Sequence, residues 1–260
     1  MAMVPFLTDT IYKMDVFEYL QLVPDNVIDL AIVDPPYNLK VAQWDSFASE
    51  QVFLDFTFRW IDAMLPKLKP TASFYIFNTP YNCALILNYL REKKVCYQNW
   101  ITWYKKDGMS AAKTKFVNNQ ESILFYTMSP KGYYFDCDSV RVPYLSTDRM
   151  AAAQTKGIIK NGKRWFPNPN GKLCPDVWEI VSERHKEKVN GKVQKLSHPT
   201  PKPKEMIQRM VLASSKPGDL ILDIFSGSGT TSLCASAFNR HYAGCEINDY
   251  TDKSLNLFVK

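Results

Sequence analysis

The 260-residue chain is poor in histidine, with three, and its six cysteines never fall within four positions of one another. Cys83, Cys96, Cys137, Cys174, Cys234 and Cys245 therefore offer no CxxC pairing for zinc and no disulfide framework. With His185, His198 and His241 equally scattered, neither a zinc hydrolase nor a Cys–His nucleophile is expected, and no metal is expected. Reduced thiols, buried where the neighbours are apolar, fit a cytoplasmic protein. Long apolar runs are also missing: a stretch such as Ile28 to Val33 is far too short to cross a bilayer. Met1 to Asp15 shows no basic segment followed by an apolar one, so no secretory leader is expected. Glycine is scarce at ten residues against sixteen prolines, which points to fixed turns rather than flexible linkers. No internal repeat is visible.

What is present is ordinary globular material. Hydrophobic residues make up 46% and charged residues 22%, which excludes a mainly disordered or collagen-like chain. The length suits one large α/β domain or two small ones. The net charge of +6 is unevenly spread. Between Tyr104 and Thr200 there are 17 basic and 9 acidic residues; the remainder carries 15 basic and 17 acidic. The middle third thus holds the whole positive excess, interleaved with Tyr104, Phe116, Tyr133, Tyr134, Phe135, Tyr144, Trp165, Phe166 and Trp178. Cations among aromatics suit a surface that grips phosphates and stacks bases. A solvated loop region with a small local core has the same composition.

Periodicity predicts an alternating pattern. Helices are expected over Asp15–Leu22, Gln51–Leu65, Asn82–Lys93, Lys204–Ser214 and Thr231–Phe238. Strands are expected over Ile28–Val33, Ser73–Phe77, Gln98–Tyr104, Glu121–Met128, Leu220–Ile224 and Tyr242–Glu246, with Lys69-Pro70 as a break before the second. Apolar strands alternating with helices imply a doubly wound, mostly parallel sheet covered on both faces. From about Ser129 the alternation gives way to turn dipeptides and prolines. Residues 129–197 therefore read as an irregular basic insertion into a domain built from 1–128 and 198–260.

Two strings carry chemistry. Asp34-Pro35-Pro36-Tyr37 follows a buried strand directly, where open α/β sheets bind ligands. Asp34 offers an anionic acceptor, Pro35 a fixed carbonyl and Tyr37 an aromatic face. An exocyclic amine lying on Tyr37 can donate one hydrogen to each acceptor, which draws its nitrogen toward tetrahedral geometry and frees its lone pair. The second string is Asp223-Ile224-Phe225-Ser226-Gly227-Ser228-Gly229-Thr230-Thr231, a strand, a glycine turn and a helix start. Its glycines allow close backbone approach to a ligand, and Thr230 and Thr231 are expected to cap the helix. A third glycine in GxGxxG spacing is absent, which argues against a dinucleotide pyrophosphate. Glu246 ends the next strand and is placed to accept from both ribose hydroxyls. Together they suit a nucleoside-bearing cofactor.

These strings resemble the amino-methylating DNA methyltransferases. The order here, DPPY loop, basic insertion, glycine loop, is similar to the β group, a circular permutation of the class I methyltransferase arrangement. Asn99-Trp100-Ile101-Thr102-Trp103 and the run Gly162 to Gly171 look like the MboII type, and His198 to Pro203 resembles the group's motif before the glycine loop. The resemblance implies S-adenosylmethionine as methyl donor. Phe225, Ser226, Gly227, Gly229, Thr230 and Asp223 would form its cradle, with Glu246 on the ribose. Asp15 would read its adenine or simply cap a helix. Asn78, Thr79, Thr200 and Lys202 would sit near its methionine end; Lys202 would pair with a carboxylate or be a surface charge. Asp34 would face both donor and target.

The implied reaction is direct displacement by the N6 amine of adenine, flipped out of duplex DNA, at a site such as the asymmetric GAAGA. A companion restriction endonuclease would be a functional partner. The chain would act as a monomer or a homodimer. Cytosine N4, an RNA or a small molecule, and a catalytically inactive nucleic-acid-binding protein remain as alternatives. For recognition the candidates are Lys105, Lys106, Lys113 and Lys115 on phosphates, and Arg141, Arg149, Arg164 and Arg184 on guanines or phosphates.

Overall fold

The computed structural model describes residues 5–107, 113–183, 186–189, 192–195, 201–248 and 258–259. Arg184 and Thr200 lie outside them. In chain order the main elements are β1 (Thr10–Lys13), α1 (Val16–Leu22), β2 (Ile28–Val33), α2 (Glu50–Met64), β3 (Leu68–Asn78), α3 (Pro80–Leu90), β4 (Cys96–Tyr104) and β5 (Gln120–Thr127). There follow α4 (Thr147–Lys156), β6 (Ile158–Lys160), β7 (Lys163–Trp165), β8 (Val177–Glu179), β9 (Lys186–Val189) and β10 (Lys192–Lys195). The chain then returns with α5 (Lys204–Ser214), β11 (Leu220–Asp223), α6 (Thr230–Ala237), β12 (His241–Glu246) and β13 (Phe258–Val259).

Nine of the described strands form one sheet in the order β13-β1-β12-β11-β2-β3-β5-β4-β8. From β13 to β3 neighbouring strands run parallel; β5 alone is antiparallel to both its neighbours. The inner strands alternate strictly between two apolar cores, as a sheet covered on both faces requires. Ala31 and Val33, Phe74 and Ile76, Leu124 and Tyr126 point to the face where α1, α2 and α3 pack through Tyr19, Trp60 and Ile86. Leu30 and Ile32, Tyr75 and Phe77, Ile123 and Phe125 point to the face covered by α5 and α6 through Met206, Met210 and Cys234. Burial of this kind, rather than helix propensity, holds the helices. Their starts are fixed locally: Asp15, Ser49 and Thr79 each cap a helix by accepting a backbone N–H in its first turn, a contribution of about 1 kcal/mol apiece.

The doubly wound, mostly parallel sheet matches the sequence reading. Lys69-Pro70 does not end an element, however; β3 runs through it, and the irregularity is taken up as a register shift where Ile28 pairs with Leu68 but Leu30 with Ser73. Strand β1 was not anticipated, being only four residues long. Within 129–197, β6 and β7 make a small hairpin and β8 joins the main sheet beside β4. Among the described residues no helix is long and apolar enough to cross a membrane.

The permuted order has a direct geometric result. Strand β11 pairs with β2, Ile221 opposite Leu30 and Leu222 opposite Ala31. The loops after these two strands, one near each end of the sequence, therefore emerge side by side.

Candidate active site

A cavity of about 360 Å³ opens at the carboxyl ends of β2, β11 and β12. Its wall on one side is the Asp34–Tyr37 loop and on the other Phe225 to Ser228 with Glu246. Phe225 packs edge-on to Trp60 at 5.7 Å and lies 6.2 Å from Phe56, which in turn meets Phe47 at 5.2 Å. One end is thus aromatic and dry, the other ionic.

The glycine turn is built for close approach. Gly227 and Gly229 have φ of 48° and 78°, in the left-handed region that glycine enters without penalty. Gly229 itself is the N-cap of α6, with no side-chain capping bond. The expectation that Thr230 and Thr231 cap this helix is therefore corrected: both already lie inside its first turn, the Thr230 hydroxyl meets Ser228 at 3.1 Å, and Thr231 bonds the Asp223 carboxylate. Glu246 accepts from Gly227 N at 2.9 Å and from Asn248 N at 2.9 Å. Asn248 Nδ2 also donates to Oε1 at 3.0 Å, so Oε1 is taken up within the protein while Oε2, with one donor, keeps a lone pair for a ribose hydroxyl. At Gly244, on β12, a Cβ would overlap the Asp223 carbonyl and the Ser226 hydroxyl, so the close seating of β12 on the glycine turn demands glycine.

The DPPY loop carries an ionic network. Tyr37 Oη donates to Asp34 Oδ1 at 2.8 Å and to Glu121 Oε2 at 3.1 Å. Lys202 Nζ lies 2.7 Å from Asp34 Oδ2 and 3.4 Å from Glu121 Oε2. It also sits 5.2 Å from the Tyr37 ring centroid and 5.5 Å from that of Phe77. Lys105 closes the network from the other side by pairing with Glu121 Oε1. The reading of Lys202 as a surface charge is corrected: its side chain is 10% exposed. Burial works to lower its pKa, but the Asp34 and Glu121 charges outweigh that and hold it above the ordinary lysine value. Burial likewise works to raise the Glu121 carboxyl; Lys202, Lys105 and the Tyr37 hydroxyl overcome it, and the group stays below the usual carboxylate range. The Tyr37 phenol is pushed well up by burial, then by Asp34 and Glu121, so it remains a donor.

Asp223 behaves differently. Burial pushes its carboxyl up to about 7, hydrogen bonds from Thr231 and Phe225 N–H oppose this, and the charges of Asp34 and Glu246 add to it. Asp34, Asp223 and Glu246 all line the cavity, which favours a cationic occupant. Among the described residues no group of three His, Cys, Asp or Glu side chains is arranged to hold a metal.

Two expected cofactor residues do not face the cavity. Asn78 is wholly buried, and its Oδ1 accepts from Thr79 N at 2.9 Å and Asn82 Nδ2 at 2.7 Å; Thr79 caps α3. They act from behind the loop: Asn82 Nδ2 donates to the Tyr37 carbonyl at 2.9 Å. Asp15 caps α1 by accepting from Phe17 N at 2.8 Å, and it also lines the cavity.

A family model for DNA methylases of the N6/N4 type matches residues 28–255. Over 238 residues the chain is 56% identical to the type II methyltransferase M1.MboII of Moraxella bovis, covering 92% of this chain and 91% of that one. The chain belongs to the N6/N4 DNA methylase family. Solved structures agree on the fold of this methylase. The M1.HpyAVI–SAM complex superposes with a TM-score of 0.60 at 22% identity, over 95% of this chain and 99% of that one. The cytosine-N4-specific PvuII DNA methyltransferase gives 0.70 at 17% identity, over 98% and 88%.

The methylase's basic candidates fall into two groups. Lys105 is bound to Glu121, Lys106 pairs with Glu179 at 2.6 Å, and Arg141 is spent on Asp138 at 2.6 Å and the Gly171 carbonyl at 2.9 Å. Lys113, Lys115 and Arg149 are exposed. Arg164, also exposed, reaches the Lys156 carbonyl at 3.3 Å. Sequence reasoning missed Glu121, at the head of β5 with its side chain 15% exposed, and Asp45, which is 1% exposed.

Proposed function

We propose that this methylase transfers a methyl group from S-adenosylmethionine to N6 of adenine in duplex DNA, within a restriction–modification system. The observation that carries the reading is the juxtaposition, across the β2–β11 pair, of an Asp-Pro-Pro-Tyr loop with a glycine-turn cavity lined by carboxylates. The 56% identity to a type II methyltransferase supports the same class, and GAAGA is the first sequence to test.

The cavity suits the donor: aromatic at one end, with Glu246 for ribose hydroxyls and acidic groups for a positively charged sulfonium compound. When bound, that compound supplies an electrophilic methyl group. The chain's residues do the rest. Asp34 and the Pro35 carbonyl accept the two hydrogens of the incoming amine, which stacks on Tyr37. Each Asp34 oxygen still has a lone pair beyond those taken by Tyr37 and Lys202. Lys202 holds Asp34 in place through its Oδ2 at 2.7 Å, and the Asp34 carboxylate faces the amine to take the proton its nitrogen must shed once methylated. Because the amine is itself the nucleophile, displacement is direct and no enzyme-bound covalent intermediate forms. Residues 129–197 would supply target recognition. A base flipped out of the stack costs a few kcal/mol, offset in part by Tyr37.

The test is methyl transfer from labelled S-adenosylmethionine to unmethylated duplex DNA, followed by nucleoside analysis. N6-methyladenine is expected. N4-methylcytosine would overturn the base assignment while keeping the fold, and bound cofactor without label in DNA would overturn the activity.

A further inference from the structure

The loop after β2 is held by a single buried carboxylate. Asp45 Oδ1 accepts from Tyr37 N at 2.6 Å and Asn38 N at 2.8 Å; its Oδ2 accepts from Leu39 N at 2.8 Å and Val41 N at 3.4 Å. Backbone N–H groups converge on one point in this way only when the chain curls, and two non-glycine residues here, Asn38 and Lys40, are left-handed with φ of 59° each. The curl is a nest, a backbone concavity shaped for an anion. Left-handed conformations at such residues cost roughly 1 kcal/mol each and persist only where something repays them. Asp45 repays them with four charge-assisted bonds. The carboxylate is 1% exposed and has no cation within salt-bridge distance among the described residues, so the nest is its solvation. Tyr37 is thereby gripped on both sides, N–H by Asp45 and C=O by Asn82.

We infer that Asp45 is a positioning residue for methyl transfer: it is the resident anion of a backbone nest that sets the Tyr37 loop before any base arrives. This rests on the methyl-transfer reading of the same site. Asp45 borders the cavity, but both its carboxylate oxygens are taken up by backbone N–H groups, so it acts through the backbone of Tyr37.

The test uses the full chain with Asp45→Ala and the isosteric Asp45→Asn. Removing the carboxylate leaves four donors around an empty space that formate can enter. In Asp45→Ala the single-turnover methylation rate should fall on the order of 100-fold, the size expected when a reacting group is misplaced by about an ångström. The affinity for S-adenosylmethionine, read by calorimetry, should fall by a smaller factor than the rate: Leu39, Val41 and Phe47 of this loop line the cavity, but Phe225 and Glu246 stand on other strands. Sodium formate should restore part of the lost rate, whereas equal concentrations of sodium chloride or neutral formamide should not. Asp45→Asn keeps one acceptor oxygen, so its loss should be intermediate. A readout independent of activity is tryptic cleavage after exposed Lys40, faster in Asp45→Ala and slowed again by formate. A wild-type rate in Asp45→Asn, or loss of rate and cofactor affinity in proportion, would overturn the inference. So would an Asp45→Ala chain that binds cofactor normally but ignores formate. A wild-type chain that transfers no methyl to DNA, with Lys40 protected as described, would instead sink the function and leave the nest standing.

Discussion

The mouth of the β2–β11 pair and the inserted segment are built on opposite principles. At the mouth nearly every polar atom answers another: Asp34, Tyr37, Glu121, Lys105 and Lys202 form one closed ionic network, and four backbone donors end on Asp45. In the insertion α4 buries only Ala153, and Ile159, Trp165 and Phe166 of and beside the β6–β7 hairpin are 71%, 46% and 52% exposed. What is fixed in advance does chemistry, where an ångström matters. What is left open is a surface free to meet the DNA, as the proposed function requires.

That contrast can be broken at several points. The largest effect is expected from Asp34→Ala, which removes the acceptor facing the amine; turnover should fall about 1000-fold, on the scale of deleting a main transition-state contact, while the chain still binds cofactor. Next comes Glu121→Gln. It frees Lys202 and Lys105 from a shared partner, and roughly a tenfold loss of kcat is expected for a group that positions rather than contacts. The third is a matter of stability. A carboxyl raised to about 7 in the fold and near 3.8 when unfolded takes up a proton on folding between those values. Its stabilising contribution is complete below about pH 4 and is lost as pH rises through 7. Asp223→Asn should therefore match the cofactor-free wild type in melting temperature near pH 4 and exceed it by a few degrees at pH 8. The smallest effects belong to the open region: Arg149→Ala or Arg164→Ala, both exposed, should each lower the salt dependence of DNA binding by about one unit of slope, with single-turnover rate on saturating DNA unchanged. If these arginines instead abolished turnover, the division between the two regions would be wrong.

The same contrast explains what the sequence disclosed. Asp34, Tyr37, Phe225, Gly227 and Glu246 could be placed at the cavity because each ends or follows a strand whose apolar run announces it, and the strand ends are where ligands bind. Glu121 could not, because its place depends on direction. It lies at the amino-terminal end of β5, and only an antiparallel strand brings that end to the carboxyl ends of its neighbours, as Asn78 opposite Ser122 shows. Hydrophobic pattern says that β5 exists but not which way it points. Asp45 was hidden for a different reason: its partners are backbone N–H groups, which every sequence contains. Asn78 and Thr79 were misassigned because proximity to a strand end does not say whether a side chain faces the cavity or the loop behind it. The short β6, β7 and β8 lie in a stretch whose exposed faces break alternation, so nothing in the pattern marked them.

The pairing of β2 with β11 has a consequence for how the molecule comes into being. It joins residues 191 positions apart, where Leu220 N reaches Asp29 Oδ2 at 3.0 Å. A growing chain leaving the ribosome holds the amine-acceptor half of the site long before the donor half exists, and the central seam of the sheet must wait for it. No nascent fragment can methylate anything. By the same logic the covalent link through 129–197 is dispensable to the seam itself: two halves severed there should each be inert and regain a site only on meeting, which makes the methylase a natural split reporter.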